Sequence, residues 1–171
     1  MGRRAVRGRP GRPGVLLSLF VAIFPPEDVR RDLASSVPGI RSRADKWHVT
    51  LAFLGDADPA LVAPALGQAS LGDPFTLRLT GGGRFRSVVW AGLGGDVASL
   101  GALRDRVVGC LAGFPIDDRD FQPHLTVSYR YSASILNGLA DYAGPEWWVR
   151  GVSLVRSAEG TYSRIGEWTL P

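Results

Sequence analysis

His48-Val49-Thr50-Leu51-Ala52-Phe53 and His124-Leu125-Thr126-Val127-Ser128-Tyr129 agree in residue class at all six positions. They hold the only two histidines of the 171-residue chain, and each histidine is followed two positions later by one of just 6 threonines. For a shuffled chain of this composition that coincidence is on the order of one in a thousand. Side chains alternate across an extended strand, so His48 and Thr50 share one face while Val49, Leu51 and Phe53 share the other. The second copy behaves in the same way. Apolar residues at the odd offsets tie each strand to a core and leave imidazole and hydroxyl on the opposite face, beside small Ala52 or Ser128. A lone histidine on a strand is ordinarily a surface or hydrogen-bonded residue; the duplication turns this pair into a candidate site.

Outward from the two motifs, the pattern alternates strands with helices. Val15 to Phe24 is rich in β-formers and stops at Pro25-Pro26, which predicts a buried strand. Pro26, Glu27 and Asp28 suit a helix start, Val29, Leu33 and Val37 give it an apolar stripe, and Pro38-Gly39 ends it. Lys46 to Leu54 is the next strand, closed by Gly55-Asp56, and Asp58-Pro59 opens a second helix. Phe75 to Leu79 alternates as a half-exposed strand, broken by Gly81-Gly82-Gly83; Val88 to Leu93 returns as another. Val97, Leu100, Leu103, Val107 and Leu111 mark a long amphipathic helix terminated by Gly113-Phe114-Pro115. His124 to Tyr129 is a strand, residues 133–142 hold a short helix, and Trp147 to Val155 with Thr161 to Leu170 form a closing pair of strands. Hairpins interspersed with helices argue for an α+β fold with largely antiparallel sheets and against a doubly wound parallel one.

The length suits one compact domain, here residues 15–171, and 45% hydrophobic content supplies a core. Of 20 basic residues 19 are arginine, and five of these (Arg3, Arg4, Arg7, Arg9, Arg12) precede Val15. Without them 15 basic residues stand against 16 acidic ones, so the formal +4 becomes about −1 and the folded body is not a basic nucleic-acid-binding domain. Residues 1–14 mix Arg, Gly and Pro and are expected to be a disordered basic extension. The apolar run Val15 to Phe24 is too short to span a bilayer and lacks a cleavage site, so a cytoplasmic protein without membrane association is expected, and a monomer. Cys110, the single cysteine, lies in the apolar stripe of a helix and reads as a core residue.

Two imidazoles and two hydroxyls can together displace a group at a phosphodiester. One imidazole takes a proton from the attacking oxygen while the other protonates the leaving oxygen, and a reference pKa of about 6.5 suits histidine to both tasks. Thr50 and Thr126 are placed to donate to the non-bridging phosphate oxygens. Two histidines without a third ligand at matching spacing make a poor zinc site, so neither metal nor cofactor is expected.

At these residues the chain resembles the 2H phosphoesterase superfamily, and in particular its bacterial RNA 2',3'-cyclic phosphodiesterase branch. The resemblance extends from about residue 16 over nearly the whole chain. It includes Leu19-Phe20-Val21-Ala22, the first motif through Gly55, Phe85 with Val89-Trp90-Ala91-Gly92, Phe121-Gln122-Pro123 before the second motif, and Val155-Arg156-Ser157 before Tyr162. It implies two pseudo-symmetric lobes around a central cleft, and metal-independent opening of 2',3'-cyclic phosphates on RNA ends or nucleotides to 2'-phosphates. His48 would protonate the departing 3' oxygen and His124 would activate water, with the reverse also allowed by the pseudo-symmetry. Many members carry an arginine five residues after the second histidine; here Tyr129 stands there and Arg130 one step later, in strand phase with His124 and Thr126. Arg130 is therefore expected at the phosphate if the strand stays regular there, with a surface role as the alternative. Phe20 and Arg84, with Arg86, are candidates to touch a nucleotide, and Trp47 is expected in the core. The alternatives are an RNA- or nucleotide-binding module with little turnover, or an enzyme of this fold acting on another cyclic phosphate or in 2'-5' RNA ligation.

Overall fold

The computed structural model describes residues 17–117 and 119–171, so the basic segment of residues 1–14 lies outside the described residues. The chain runs β1 (Ser18–Ile23), α1 (Glu27–Ser36), β2 (Val49–Gly55), α2 (Pro59–Gly67), β3 (Phe75–Phe85), β4 (Val88–Gly95), α3 (Val97–Cys110), β5 (Leu125–Ser128), α4 (Ala133–Ala140), β6 (Ala143–Val149), β7 (Gly151–Ala158) and β8 (Thr161–Thr169). Three helices open on side-chain caps: Asp58 accepts from the Ala60 amide, Asp96 from Ser99 and Ser132 from Ile135. Among the described residues no helix is long and apolar enough to cross a membrane.

All eight strands join one sheet in the order β6-β3-β4-β5-β2-β1-β7-β8, and every pairing is antiparallel. The two lobes are thus halves of a continuous sheet, β6-β3-β4-β5 and β2-β1-β7-β8. They repeat one another: β1-α1-β2 in one half corresponds to β4-α3-β5 in the other, and β2 meets β5 at the centre. There the ladder is thin, a single pair, Val49 opposite Leu125. The helices compensate by crossing the seam. Although α1 follows β1, it packs against β6, and although α3 follows β4, it packs against β2. The Tyr142 hydroxyl donates to Asp32 on α1 at 2.8 Å, adding a polar tie between the halves.

One large core lies between sheet and helices, drawing on Val29 and Leu33 of α1, Leu100, Leu103 and Val107 of α3, and Val49, Leu51, Leu125 and Val127 of the central strands. Trp47 is buried in it, and Cys110 packs at its edge. A second, small cluster of Phe20, Ala22 and Val155, flanked by Phe24 and Tyr162, covers the other face of β1. Both faces of β1 are therefore buried, which is why its sequence is apolar without alternation.

Three boundaries differ from those expected. The strand expected from Lys46 begins only at Val49, because Ala44–Lys46 forms a turn of 3-10 helix. The strand expected over Trp147 to Val155 is two strands, β6 against β3 and β7 against β1, on opposite sides of the sheet. Gly81-Gly82-Gly83 does not end β3. The register shifts between Leu79 and Gly82, with Gly81 at φ 62°, and the ladder with β4 resumes through Phe85. Glycine is needed at 82 for a packing reason: a Cβ there would lie 2.6 Å from the Trp90 carbonyl oxygen and 2.8 Å from Leu139 of α4. Gly82→Ala should cost about 1–3 kcal/mol through overpacking. Urea unfolding would show a lower midpoint at unchanged slope; an unchanged midpoint would contradict this close packing.

Candidate active site

Each histidine stands one residue before its strand, and each is oriented by its own backbone. The Nδ1–H of His48 donates to the Lys46 carbonyl at 2.6 Å, and that of His124 to the Gln122 carbonyl at 2.7 Å. A carbonyl only accepts, so Nδ1 must carry the hydrogen in both rings. Nε2 is then the nitrogen left for a ligand, with a lone pair when the ring is neutral and a proton to give when it is charged. Two residues on, Thr50 and Thr126 lie on the same side of their strands. All four side chains line one cleft of about 600 Å³ spanning the β2–β5 seam.

The two rings sit in different surroundings. Phe20 stacks on His48 with centroids 4.8 Å apart, Tyr162 meets it edge-on at 5.6 Å, and Phe24 tilts against it at 5.6 Å. This burial holds the His48 pKa below its ordinary value; the bond to the Lys46 carbonyl opposes the shift and the charge of nearby His124 adds to it. His124 touches Phe85 edge-on at 5.0 Å and Trp90 at 6.1 Å. Beyond His124 lies a second cavity of about 690 Å³, lined by Phe85, Arg104, Arg119, Phe121 and Gln122 among others, and joined to the first at Thr50, Phe53 and His124.

Strand alternation fails just past each threonine, in the same way in both copies. Ala22 pairs with Thr50 but Val21 with Ala52, so Leu51 is a bulge; Trp90 pairs with Thr126 but Val89 with Ser128, so Val127 is its counterpart. The extra residue reverses the phase. Ala52 is therefore buried in the core rather than beside the imidazole, and Phe53, expected in the core, is 45% exposed on the cleft wall. Its mate Tyr129 also lines the cleft, with its hydroxyl beside Tyr162, whose pKa is raised by burial first and by Tyr129 next.

The same phase change removes Arg130. After Ser128 the chain turns, with the Arg130 amide donating to Ser128 Oγ at 3.2 Å and Ser128 Oγ donating to the Arg130 carbonyl at 2.7 Å. Arg130, for which a phosphate contact was one expectation, is exposed and is not among the residues lining the cleft. Arg84 also lies outside, over the Tyr131 ring at 5.0 Å. Phe20 is in the cleft but 4% exposed; its surface is spent on His48, which leaves little for a nucleotide. The side chains not anticipated are Phe53, Tyr129, Tyr162 and the segment Arg41 to Lys46, which forms one wall. The aromatic sixth position of both motifs was the available signal for the first two.

That segment is clasped across the seam. Trp47 Nε1 donates to Ser42 Oγ at 2.8 Å, and Ser42 Oγ donates to the carbonyl of the bulged Val127 at 2.6 Å. Lys46 Nζ donates to the Gly160 carbonyl in the β7–β8 turn and lies 5.0 Å from the Tyr162 ring centre. Ser42→Ala would orphan a buried indole N–H and a buried carbonyl, at about 1–3 kcal/mol each at most. Thermal unfolding should show the loss, and Ser42→Thr should recover part of it.

Comparison with known proteins places these features in a family. A model of the 2'-5' RNA ligase superfamily matches residues 19–161. An RNA 2',3'-cyclic phosphodiesterase of Thermus thermophilus is 32% identical over 168 residues, covering 82% of each chain. One of Geobacillus stearothermophilus is 35% identical over 112 residues, 58% of this chain, and the match spans only 35% of that longer protein. The crystal structure of Escherichia coli LigT complexed with 3'-AMP superposes with a TM-score of 0.70 at 26% identity, covering 90% of this chain and 98% of that one.

The His48 environment has a solution signature. Its folded-state pKa lies below the unfolded value of about 6.5, so between the two the unfolded chain binds the proton more readily. The His48 contribution is complete above that range and declines as pH falls through it. In an NMR titration the imidazole signal lost in His48→Gln should titrate below pH 6.5; a midpoint above 6.5 would mean the ring is not buried as described.

Proposed function

Since this chain belongs to the 2'-5' RNA ligase superfamily, we propose that it opens 2',3'-cyclic phosphates on RNA ends or nucleotides with water, leaving a 2'-phosphate. His48 and His124 are the proton-transfer pair. The observation that carries this reading is the shared cleft, which two imidazoles with the same tautomer and two hydroxyls line together. The names of the Thermus and Geobacillus relatives support the choice of reaction.

In the proposed step the water oxygen attacks phosphorus and its proton passes to the neutral Nε2 of one histidine. The P–O3' bond breaks, and O3' takes the proton from Nε2–H of the other. Thr50 and Thr126 donate to the non-bridging oxygens, where charge builds as the fifth bond forms. No step calls on a metal. Burial favours the neutral, proton-accepting form of His48. This supports the reverse of the roles implied by the resemblance: His48 as base and His124 as acid.

Incubation of 2',3'-cyclic AMP with the protein in chelator should give 2'-AMP. Formation of 3'-AMP alone, or no turnover between pH 5 and 9 (about 1.5 units below to 2.5 above the reference histidine pKa), would end the proposal. His48→Ala and His124→Ala should each lower kcat by roughly 100- to 10,000-fold. With His48 as base, the residual activity of His48→Ala should lose the acidic limb of the kcat/KM profile and keep the alkaline one; the opposite pattern would restore the roles implied by the resemblance.

A further inference from the structure

The two connected cavities differ in charge. In the larger one Arg104 and Arg119 stand with Asp117 and Asp120, and Arg119 is bonded to Asp117. The cleft that holds both histidines is lined by Arg41, Arg43 and Lys46 and, among the described residues, by no carboxylate. Asp45, just outside it, pairs with Arg43 at 2.6 Å. Among the described residues neither Arg41 nor Lys46 has an acidic partner within ion-pair distance. The bond from Lys46 to the Gly160 carbonyl and its place over Tyr162 orient the ammonium without neutralising it.

This charge is local. Beyond the first fourteen residues the chain has 15 basic against 16 acidic side chains, so an uncompensated pair on one cleft wall is a concentration rather than a background. It also exceeds what the reacting group needs, because a cyclic phosphodiester carries one negative charge and already faces two imidazoles and two hydroxyls. The wall is ordered before any ligand arrives. Ser42 is clasped between Trp47 and Val127, Arg43 and Asp45 are paired, and Ala44–Lys46 is a 3-10 turn. An ammonium held in place, as that of Lys46 is, loses little entropy on binding an anion.

We infer that Arg41 and Lys46 form a second anion subsite, which takes the phosphate on the 5' side of the nucleotide whose 2',3'-cyclic phosphate lies between the histidines. The inference rests on the cyclic-phosphate reading of the cleft and adds a basis for selection. A nucleotide with a 5'-phosphate, or the end of an RNA chain, engages both subsites; a nucleoside 2',3'-cyclic phosphate with a free 5'-hydroxyl engages only one.

The experiment compares kcat/KM for a nucleoside 2',3'-cyclic phosphate bearing a 5'-hydroxyl, the same compound with a 5'-phosphate, and a trinucleotide ending in the cyclic phosphate. The second and third should exceed the first by roughly tenfold or more at low salt, the scale of a charge-assisted hydrogen bond. The advantage should shrink as salt rises, because added ions screen the contact between the extra phosphate and the exposed cations. Arg41→Gln alters an exposed side chain and should remove much of the preference; the double variant Arg41→Gln, Lys46→Gln should remove the rest. Equal values for the three substrates, a preference for the trinucleotide but not the 5'-phosphate, or a preference that survives the double variant would overturn the subsite. Binding of a fluorescent trinucleotide 3'-phosphate against a nucleoside 3'-phosphate, followed by anisotropy, separates the two proposals. Charge-dependent binding without turnover keeps the subsite and sinks the reaction; turnover without 5'-phosphate preference does the reverse.

Discussion

The site depends on a pair of hydrogen bonds, from each imidazole Nδ1–H to the backbone carbonyl two residues earlier. They make the tautomer and the ring orientation properties of the main chain rather than of a neighbouring acid. The bond requires the chain to approach each histidine outside the ladder, as it does after the Ala44–Lys46 turn and after Gln122-Pro123. The ladder then begins at the next residue in both copies, and those residues, Val49 and Leu125, are the single pair joining the two halves. The seam of the sheet and the separation of the histidines are thus one geometric fact. Helices that cross the seam, and the Ser42 clasp at Val127, keep that thin junction from opening.

The matched bulges at Leu51 and Val127 make the cleft more than a flat strand surface. A regular strand would place Ala52 and Ser128 beside the threonines and send the sixth residue of each motif to the core. With one residue inserted, Phe53 and Tyr129 swing onto the wall instead, giving an otherwise polar floor two aromatic sides. Bulges bend and twist the strand that carries them, and here both central strands carry one at the equivalent point. The carbonyl left without a ladder partner at Val127 is the one that Ser42 satisfies.

Much of this was legible in the sequence, because the informative signals were local. The duplicated His-x-Thr pattern identified the four central side chains, apolar periodicity found all four helices and most strands, and the loss of alternation in β1 announced burial on both faces. What could not be read was non-local. A bulge has no composition of its own in Leu51 or Val127, so alternation assigned Phe53 to the core and Arg130 to the threonine face, whereas the inserted residue puts Phe53 on the cleft wall and leaves Arg130 off it. Gly82 reads as a strand breaker in the sequence because the group it packs against, Leu139, is far away along the chain. Trp147 to Val155 read as one strand because nothing in its composition says that its two ends pair on opposite sides of the sheet. The segment Arg41 to Lys46 has no periodicity, and only its fold across the seam brings it to the cleft.

Acid–base catalysis by two chemically identical groups needs something to distinguish them, and the backbone here does the opposite, holding both rings by the same bond. The distinction comes from side chains outside the repeat. Phe20, Phe24 and Tyr162 enclose His48 on three sides, whereas His124 meets Phe85 and Trp90 mainly by edge and tilt and opens onto the second cavity. Burial penalises the charged form, so the enclosed ring is the one driven toward neutrality, and the charge of nearby His124 adds to that drive. For the proposed reaction, the duplicated scaffold would supply the symmetric geometry that a phosphorus centre requires, and the unequal packing of its halves the asymmetry of protonation. The two demands are met by different parts of the chain, which is why the motifs repeat and the aromatic residues around them do not.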